Sequence, residues 1–333
     1  MTALNRRQNT VETLQLRVTE TEDLTAQIRK IVLKQAEGLP LPAAKPGAHI
    51  RVHIGGAFDD TRAYSLLMLN DHSTDAATHL QYEIAVKRED AGSGGSRYMH
   101  ALNVGDTLVC DRPRHDFKLE PPDQTCAVLL AGGIGITPIF AMAGALSREG
   151  RPFHLHYAGR DRSQMALLNE LAVIAGENLK IHLDQQDSQL DINAILRSMH
   201  ADQHLYVCGP AGLLDTVLAM AKQAGLPATQ VHFELFSNPA VSASTDSFQV
   251  RLAQSGKTYV IPPGKSILQV LQDHGEDPLC DCCRGECGVC QVGVLEGEPD
   301  HRDYVLSDAE KAQGKLIHIC VSRSKTPMLV LDM

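Results

Sequence analysis

Four cysteines near the C-terminus have the types and the spacing of a metal-cluster site. Cys282, Cys287 and Cys290 form a C-x4-C-x2-C run, and Cys320 follows after 29 intervening residues. This is the ligand spacing of a plant-type [2Fe–2S] cluster, which four thiolates hold. Glycines inside the run let backbone amides turn toward the sulfurs, where they stabilise the added electron. We therefore predict a one-electron carrier with these four cysteines as iron ligands.

Other uses of these cysteines fit the pattern less well. A structural zinc site is the main alternative, but the x4 gap is not the spacing of a zinc knuckle. A disulfide framework is disfavoured because 333 residues can build their own core and nine cysteines is an odd number. Cys280 and Cys283 are spare neighbours, since only Cys282 gives the x4 spacing.

A second chemical signal is the glycine-rich stretch 131–138, which lies between an apolar strand and a helix. Its glycines let the backbone approach a pyrophosphate, and the N-terminus of the helix favours negative charge. Pro138 stands where the strict G-x-G-x-x-G fingerprint has its last glycine, and such a turn is often only a turn. A later strand ends in Cys208 and Gly209, which places a second glycine and a thiol where open α/β sheets bind ligands.

A third signal lies earlier in the chain. Arg62 and Ser65 flank Tyr64, so a cation and a hydroxyl can lie near a phosphate while the ring lies along a flat cofactor. The turn 92–96 can offer backbone amides to the same phosphate. The pattern R-x-Y-S also occurs by chance, with the Arg on the surface and the Tyr an ordinary barrel side chain. It is the order of the three signals that favours the functional interpretation.

The elements that must position these residues fall into successive blocks. Residues 1–122 are mostly strand-like and predict a small antiparallel β-barrel. In 123–236 strands alternate with helices, as in a doubly wound parallel α/β sheet, with one helix expected at 139–148. The polar, proline-containing stretch 237–246 is typical of a linker, and 247–333 carries a hairpin, a short helix and the cysteine run.

Composition limits the classes of function. A chain of 333 residues is long enough for two or three domains, and its net charge of −9 argues against binding of nucleic acid or of an anionic membrane surface. No apolar run is long enough to span a membrane, and the N-terminus does not resemble a signal peptide. We therefore expect a cytoplasmic protein without a membrane partner.

Together the motifs resemble one family, the phthalate dioxygenase reductase type of the ferredoxin–NADP reductase superfamily, which includes reductases of vanillate demethylase and carnitine monooxygenase systems. The matching stretches are 62–65, 85–88, 94–96, 132–135, 208–210, 232–234, 298–303 and 330–332. The resemblance implies a multidomain chain with a flavin-binding β-barrel, a pyridine-nucleotide domain and a β-grasp plant-type ferredoxin domain, in that order. It also implies FMN rather than FAD.

The resemblance and the motifs assign residues to each cofactor. The predicted flavin-site residues are Arg62, Ala63, Tyr64, Ser65, Ala85, Val86, Lys87, Gly94, Gly95 and Ser96, with Glu234 and Phe236 in the segment that returns to cover the flavin. The predicted nucleotide-site residues are Gly132, Gly133, Gly135, Thr137, Pro138, Arg160, Asp161, Cys208, Gly209 and Pro210. The family often has Arg in the place of Ser93, so Arg62 or Arg97 would have to replace that cation.

The chemistry of the cofactors predicts a mechanism. NADH gives two electrons together as a hydride and a [2Fe–2S] cluster accepts one at a time, so a flavin is needed between them. We predict hydride transfer from nicotinamide C4 to flavin N5, shaped by Ser65, Cys208 and Glu234, followed by single-electron export through the cluster to a terminal oxygenase. NADH is favoured by the resemblance. Arg160 with Arg162 could still pair with the 2′-phosphate of NADPH, and Asp161 could bind the ribose hydroxyls instead.

Two other functions remain open from the sequence. One is a FAD-containing reductase that serves a di-iron hydroxylase, and the other is a redox-sensing iron–sulfur flavoprotein. The chain is not itself expected to be the oxygenase, because the C-x-H and C-x2-H motifs of a Rieske centre do not occur in it. Neither the partner nor its organic substrate follows from the sequence.

Overall fold

The computed structural model describes residues 12–35, 38–55, 60–67, 78–92, 94–119, 125–184, 188–236 and 246–333. The chain divides into two units, Met1–Glu234 and Leu235–Met333. The predicted linker lies outside the described residues except for Asp246. The finer division at 122/123 and the other predicted domain bounds stay predictions. None of the helices in the described ranges combines the length and the apolar content needed to cross a membrane.

The first part of the chain forms the antiparallel barrel that the strand pattern predicts. Its main sheet has six strands in the order β5-β4-β8-β1-β2-β7, and the amide of Leu67 donates to the carbonyl of Glu83 (2.9 Å) where the first and last strands approach. A helix α1, Gly95–His100, follows β7. The strands are β1 Thr13–Asp23, β2 Ile28–Gln35, β3 Leu41–Pro42, β4 His49–Ile54, β5 Asp60–Ser65, β6 Thr78–His79, β7 Tyr82–Lys87 and β8 Thr107–Asp111.

Alternation of apolar and polar residues explains the barrel. Leu14, Leu16 and Val18 of β1 are buried, whereas the residues between them are exposed. Successive side chains of a strand point to opposite faces, so one face of β1 lines the barrel core while the other meets water. The same rule decides below which residues of β4 and β5 can meet.

The second part of the same unit is a parallel sheet of five strands in the order β11-β10-β9-β12-β13, as predicted. The strands are β9 Ala127–Gly132, β10 Phe153–Gly159, β11 Leu179–Leu183, β12 Leu205–Cys208 and β13 Val231–Glu234; the helices are α2 Ile136–Arg148, α3 Leu168–Ala175, α4 Ile192–Ser198 and α5 Ala211–Gln223. Helix α2 begins three residues earlier than expected. Pro138 lies in its first turn, where the missing amide hydrogen is not needed.

The second unit is an α+β fold around a mixed sheet in the order β15-β14-β20-β16-β18, in which β14 and β20 are parallel. Its elements are β14 Phe248–Leu252, β15 Thr258–Ile261, α6 Ile267–Asp273, β16 Gln291–Glu296, β17 Pro299–Asp300, α7 Asp308–Gln313, β18 Leu316–His318, β19 Arg323–Ser324 and β20 Met328–Leu331. Helix α6 is the short helix that the sequence predicts. A capping box between Ser266 and Gln269 fixes its first turn.

Candidate functional site

The carboxyl edge of the parallel sheet brings the predicted nucleotide residues together. A Cβ added to Gly135 would lie 2.2 Å from the carbonyl oxygen of Cys208, and one added to Gly132 would lie 3.4 Å from the Cα of Gly209. Only glycine allows the ends of β9 and β12 to approach this closely. Gly133 has a φ of 54° and faces open space. The turn therefore leaves room for a phosphate beside its backbone amides.

The other predicted nucleotide residues lie around this edge. Thr137 is buried in the first turn of α2, where its hydroxyl donates to the carbonyl of Ile134 (3.1 Å). Asp161 follows β10 and accepts hydrogen bonds from the amide (2.7 Å) and the hydroxyl (2.5 Å) of Ser163. Those bonds lower the pKa of Asp161, so its carboxylate stays ionised. Arg160 is exposed beside it.

The three predicted catalytic residues lie where the barrel meets the parallel sheet. The β12–β13 register places Cys208 opposite Glu234, and the β4–β5 register places His49 opposite Ser65. His49 Nδ1 is 3.8 Å from Glu234 Oε1, so His49 links the two pairs. All four residues are buried. We call His49, Ser65, Cys208 and Glu234 the barrel–sheet junction.

The junction contains a polar atom that a flavin can satisfy. The Ser65 hydroxyl is buried and has no hydrogen-bond partner among the described residues. A buried hydroxyl without a partner costs about 1–3 kcal/mol, so such groups are rare unless a ligand or water completes them. Ser65 therefore fits the polar edge of a bound flavin ring.

The residues of the R-x-Y-S motif lie on two different faces of β5. Alternation puts Arg62 and Tyr64 on one face of β5, and Ala63 and Ser65 on the other. The expectation that Arg62 and Ser65 meet the same phosphate is therefore not met. Arg62 instead lies at the start of α1, because a Cβ on Gly95 would be 2.9 Å from the Arg62 Cγ. This juxtaposition of a guanidinium with a glycine turn fits a phosphate.

The remaining flavin-site residues are either buried and apolar or hydrogen-bonded within the protein. Ala85 and Val86 are buried on β7. The Lys87 ammonium donates to the Glu89 carboxylate (2.7 Å), and the Ser96 hydroxyl accepts from the Glu89 amide (2.9 Å). These polar groups have protein partners, and so does the Arg62 guanidinium, whose Nη1 donates to the carbonyl of Thr61 (2.9 Å). Arg62 is the cation that lies beside the 94–95 turn. Ser93 lies outside the described residues.

Tyr64 and Arg97, a candidate for the cation that Ser93 does not supply, both have contacts within the protein. Tyr64 is half-buried and packs against the barrel core, and burial raises the pKa of its phenol. Its ring is therefore a neutral surface at the pH of the cell. Arg97 donates to the carbonyl of Asp90 (3.2 Å), so of the two candidates Arg62 is the one beside Gly95.

The second unit gathers the four cysteines into two pairs. The Cys290 and Cys320 thiols are hydrogen-bonded, and so are those of Cys282 and Cys287. Cys320 lowers the pKa of Cys290 to about 6, while the same contact raises that of Cys320. Cys287 is exposed and the other three are buried. Two sulfur pairs, one of them reaching the surface, suit a cluster with two ligands for each iron.

The backbone of the cysteine loop is directed toward the sulfurs. The amide of Arg284 donates to Cys282 Sγ (3.3 Å), and the amide of Gly285 donates to the Cys320 sulfur. Gly285 has a φ of 80°, and a Cβ there would lie 2.7 Å from Val321 Cγ2. Only glycine suits that position. The residues present thus fit a [2Fe–2S] cluster, with amide donors that stabilise negative charge on it.

Cys280 and Cys283, the two cysteines that are not predicted ligands, differ in burial. Cys280 packs against the core of the second unit and accepts a weak hydrogen bond from Gln272 Nε2 (3.7 Å). Cys283 is exposed and has a φ of 54°. Glu286, in the same loop, accepts from the amide of Leu235 (2.5 Å) within the second unit. Phe236, the next residue, is 38% exposed.

Comparisons with known proteins agree with this arrangement. Residues 250–325 match the family model described as a 2Fe-2S iron-sulfur cluster binding domain. Residues 112–231 match the model of the dimethylamine monooxygenase subunit DmmA-like N-terminal domain. The chain is 37% identical to phthalate dioxygenase reductase of Burkholderia cepacia over 326 residues, which cover 96% of this chain and 97% of that protein.

The chain belongs to the phthalate dioxygenase reductase family. Another relative of this reductase is the 3-chlorobenzoate-3,4-dioxygenase reductase subunit of Comamonas testosteroni, 36% identical over 97% of this chain and 98% of that protein. A third is the carnitine monooxygenase reductase subunit of Escherichia coli K12, 36% identical over 96% and 98%.

A solved structure has a similar fold. Phthalate dioxygenase reductase, described as a modular structure for electron transfer from pyridine nucleotides to [2Fe–2S], has a TM-score of 0.73 with this reductase, with 37% identity over 96% of this chain and 98% of that one. The predicted family and fold class are thereby confirmed. The chain is an oxidoreductase with a [2Fe–2S] domain, and its fold supports binding of a flavin and a pyridine nucleotide.

Sequence reasoning missed one member of the junction. His49 stands in the run His49–Ile54, where alternation assigns it to the polar, solvent-facing side of β4 together with Arg51 and His53. In the structure it is 1% exposed. The residues before it, Pro46–Gly47 and Ala48, predict a turn. They do not predict that the His49 side chain is buried.

Proposed function

We propose that this reductase takes a hydride from NADH, passes it to FMN and delivers single electrons through its [2Fe–2S] cluster to a terminal oxygenase. The observation that carries the proposal is the barrel–sheet junction. It brings the predicted flavin residues Ser65 and Glu234 and the predicted nicotinamide residue Cys208 into one buried group. The names of the relatives, which are reductase subunits of dioxygenases and monooxygenases, support an oxygenase as the electron acceptor.

Each part of the chain has a separate task in this scheme. The 132–135 turn binds the pyrophosphate, and the buried Cys208 backbone holds that turn in place. Arg62 and Gly95 bind the flavin phosphate, and Ser65 donates to the edge of the ring. Bound flavin supplies the conversion of a hydride into single electrons. Water is kept from the junction because all of its members are buried.

The four cysteines are the proposed iron ligands. Cys282 pairs with Cys287, and Cys290 pairs with Cys320. Cys287 is the exposed member, so it marks the side from which an electron leaves with the shortest path to a partner protein. We place the domain boundaries at 122/123 and 236/237, with a linker to residue 246, and the expected compartment is the cytoplasm.

The test is analysis of the purified protein with its natural cofactors. We expect one FMN and two irons per chain by mass and metal analysis, and rapid cytochrome c reduction with NADH. Extraction of FAD instead would favour the reductase of a di-iron hydroxylase. Slow turnover with an output that follows the cluster state would favour a redox sensor.

Two further measurements refine the proposal. The ratio of kcat/KM for NADH and NADPH measures the nucleotide preference of the wild-type protein. Asp161→Ala should lower the preference for NADH if the carboxylate binds the ribose hydroxyls. Turnover of the oxygenase encoded nearest to this chain, reconstituted with NADH, would identify the partner, and no turnover without this reductase is the expected control.

A further inference from the structure

One buried histidine lies between an enclosed carboxylate and a carboxylate that reaches water. His49 Nδ1 is 3.8 Å from Glu234 Oε1, and its Nε2 is 4.0 Å from Asp116 Oδ2. The side chains of His49 and Glu234 are 1% and 3% exposed, whereas that of Asp116 is 44% exposed. The imidazole therefore connects the inside of the junction with the surface through its two ring nitrogens.

These contacts differ from those of an ordinary buried histidine. In the same barrel, His79 is also buried, but its Nε2 lies beside the backbone of Ala44 (2.9 Å to N). His49 instead has a carboxylate at each end. Both separations exceed direct hydrogen-bond length, and a side-chain shift of about 1 Å completes each link.

The net reaction of the proposed function produces a proton at a buried site. One NADH and two oxidised clusters give NAD⁺, two reduced clusters and one H⁺, because a hydride carries two electrons and one proton and each cluster accepts only an electron. The electrons leave through the cluster. The proton needs a separate route to water, and the junction is closed to solvent.

We propose that Glu234, His49 and Asp116 form the route by which this proton reaches water. A proton on Glu234 Oε1 passes to His49 Nδ1 while Nε2 releases its own proton to Asp116 Oδ2, so the imidazole gains one proton and loses one. Asp116 then exchanges with solvent. His49 lies beside Ser65 and Glu234 and acts as a relay. The inference rests on the proposed function, since it concerns the proton that this reaction releases.

Charged and polar groups face His49 from the elements packed against it. They include Glu234 from β13, Asp116 and Arg114 from the segment after β8, and the non-titrating Ser65 from β5. Arg114 pairs with His49 through the backbone in both directions (2.9 Å each). The backbone pairing holds the ring in place, so replacing the side chain leaves the strand pairing intact.

The experiment follows protons and electrons separately in the full-length holoprotein. Stopped-flow mixing with NADH and excess ferricyanide or cytochrome c, in weak buffer with a pH indicator, records proton release and electron delivery in the same reaction. In the wild-type protein we expect proton release and electron delivery to occur at the same rate. His49→Gln should slow proton release by roughly 10²-fold relative to electron delivery in the same reaction. Asp116→Asn should slow it less, and His79→Gln is the matched control.

A second readout does not depend on turnover. In the oxidised protein labelled at histidine nitrogen, Glu234→Gln should lower the NMR-determined pKa of His49, because a neighbouring anion is removed. An unchanged pKa means that His49 and Glu234 are not coupled and overturns the relay.

The kinetic experiment can also overturn the relay. Wild-type proton release in folded His49→Gln would do so, and so would equal slowing in His79→Gln. If His49→Gln does not fold, Asp116→Asn decides, and a wild-type rate in that variant overturns the relay. A wild-type protein that delivers no electrons from NADH would instead refute the proposed function.

Discussion

The cysteine loop and the barrel–sheet junction reach a functional arrangement in different ways. The loop takes three of its four sulfurs from residues 282–290, and its shape depends on positive φ angles at Gly285 and Gly288. The junction draws its members from β4, β5, β12 and β13, which are far apart in the chain. Local backbone conformation therefore determines the loop, whereas strand register determines the junction. The two regions should respond differently to substitution.

The burial of the two regions differs as well. Every member of the junction is enclosed, and one hydroxyl in it has no partner among the described residues. The cysteine loop keeps Cys287 at the surface. An enclosed site suits hydride transfer, which needs water to be excluded, and an exposed edge suits delivery of an electron to another protein. Substitutions can test this contrast.

The largest expected effect is at the loop. Cys290→Ser should abolish cytochrome c reduction, because it removes a buried ligand and with it the cluster, while NADH–ferricyanide activity persists. Iron content and visible absorption report the loss of the cluster. Cys283→Ser, at an exposed neighbour, is the control and should keep both activities. Normal cytochrome c reduction in a variant that lacks its cluster would contradict the order of electron transfer.

The next effect is at the approach of β9 to β12. Gly135→Ala places a Cβ 2.2 Å from the backbone oxygen of Cys208, so the turn must move. We expect a loss of about 3 kcal/mol in the free energy of unfolding and a KM for NADH raised by more than about tenfold. Gly212→Ala, in α5 with no atom within 4 Å of the added Cβ, is the control. It should change stability by less than about 1 kcal/mol, and equal losses in both variants would show that the close approach is unimportant.

A smaller effect separates function from stability within the junction. Ser65→Ala should lower the rate of flavin reduction by NADH by about tenfold, the equivalent of one directed hydrogen bond. The free energy of unfolding should stay the same or rise, because the hydroxyl has no partner among the described residues to lose. Ser198→Ala, whose hydroxyl donates to the Ile195 carbonyl (2.7 Å), should show the opposite pattern. Lower stability with an unchanged rate in Ser65→Ala would make that hydroxyl structural.

The smallest effect concerns a register-determined pair away from the site. His156 Nδ1 is 3.0 Å from His182 Nε2 on the neighbouring strand, and burial, with His182 next, lowers the pKa of His156 from 6.5 to about 4. Between pH 4 and pH 6.5 the unfolded chain therefore binds more protons than the folded protein does. The free energy of unfolding is highest above pH 6.5 and falls as the pH drops toward 4. We expect a loss of about 1 kcal/mol between about pH 7.5 and 5.5.

Urea denaturation at both pH values, followed by circular dichroism, measures this loss. His156→Leu should reduce the difference between the two pH values, since it removes the group that titrates. His154→Gln changes an exposed histidine of the same strand and serves as the control. An identical pH dependence in His156→Leu and the wild-type protein would contradict the assignment.

Much of the fold follows from local patterns. The strand His49–Ile54 and the helix at Ile267–Asp273 occur where periodicity and the Ser266 cap predict them. Helix α2 begins at Ile136, three residues before the expected start at 139, because proline is accepted in the first turn of a helix. The separation of Arg62 from Ser65 was missed because a four-residue motif was considered without its strand alternation.

The sequence by itself determined the cluster loop, because the ligands and the glycines that shape it lie within a few residues of one another and each acts through its own backbone conformation. It also indicated the nucleotide turn and the flavin strand. The tertiary structure alone decided that His49 stands between Glu234 and Asp116. That contact joins three distant segments, and its geometry depends on strand register and on the packing of the barrel against the parallel sheet, which no local pattern encodes.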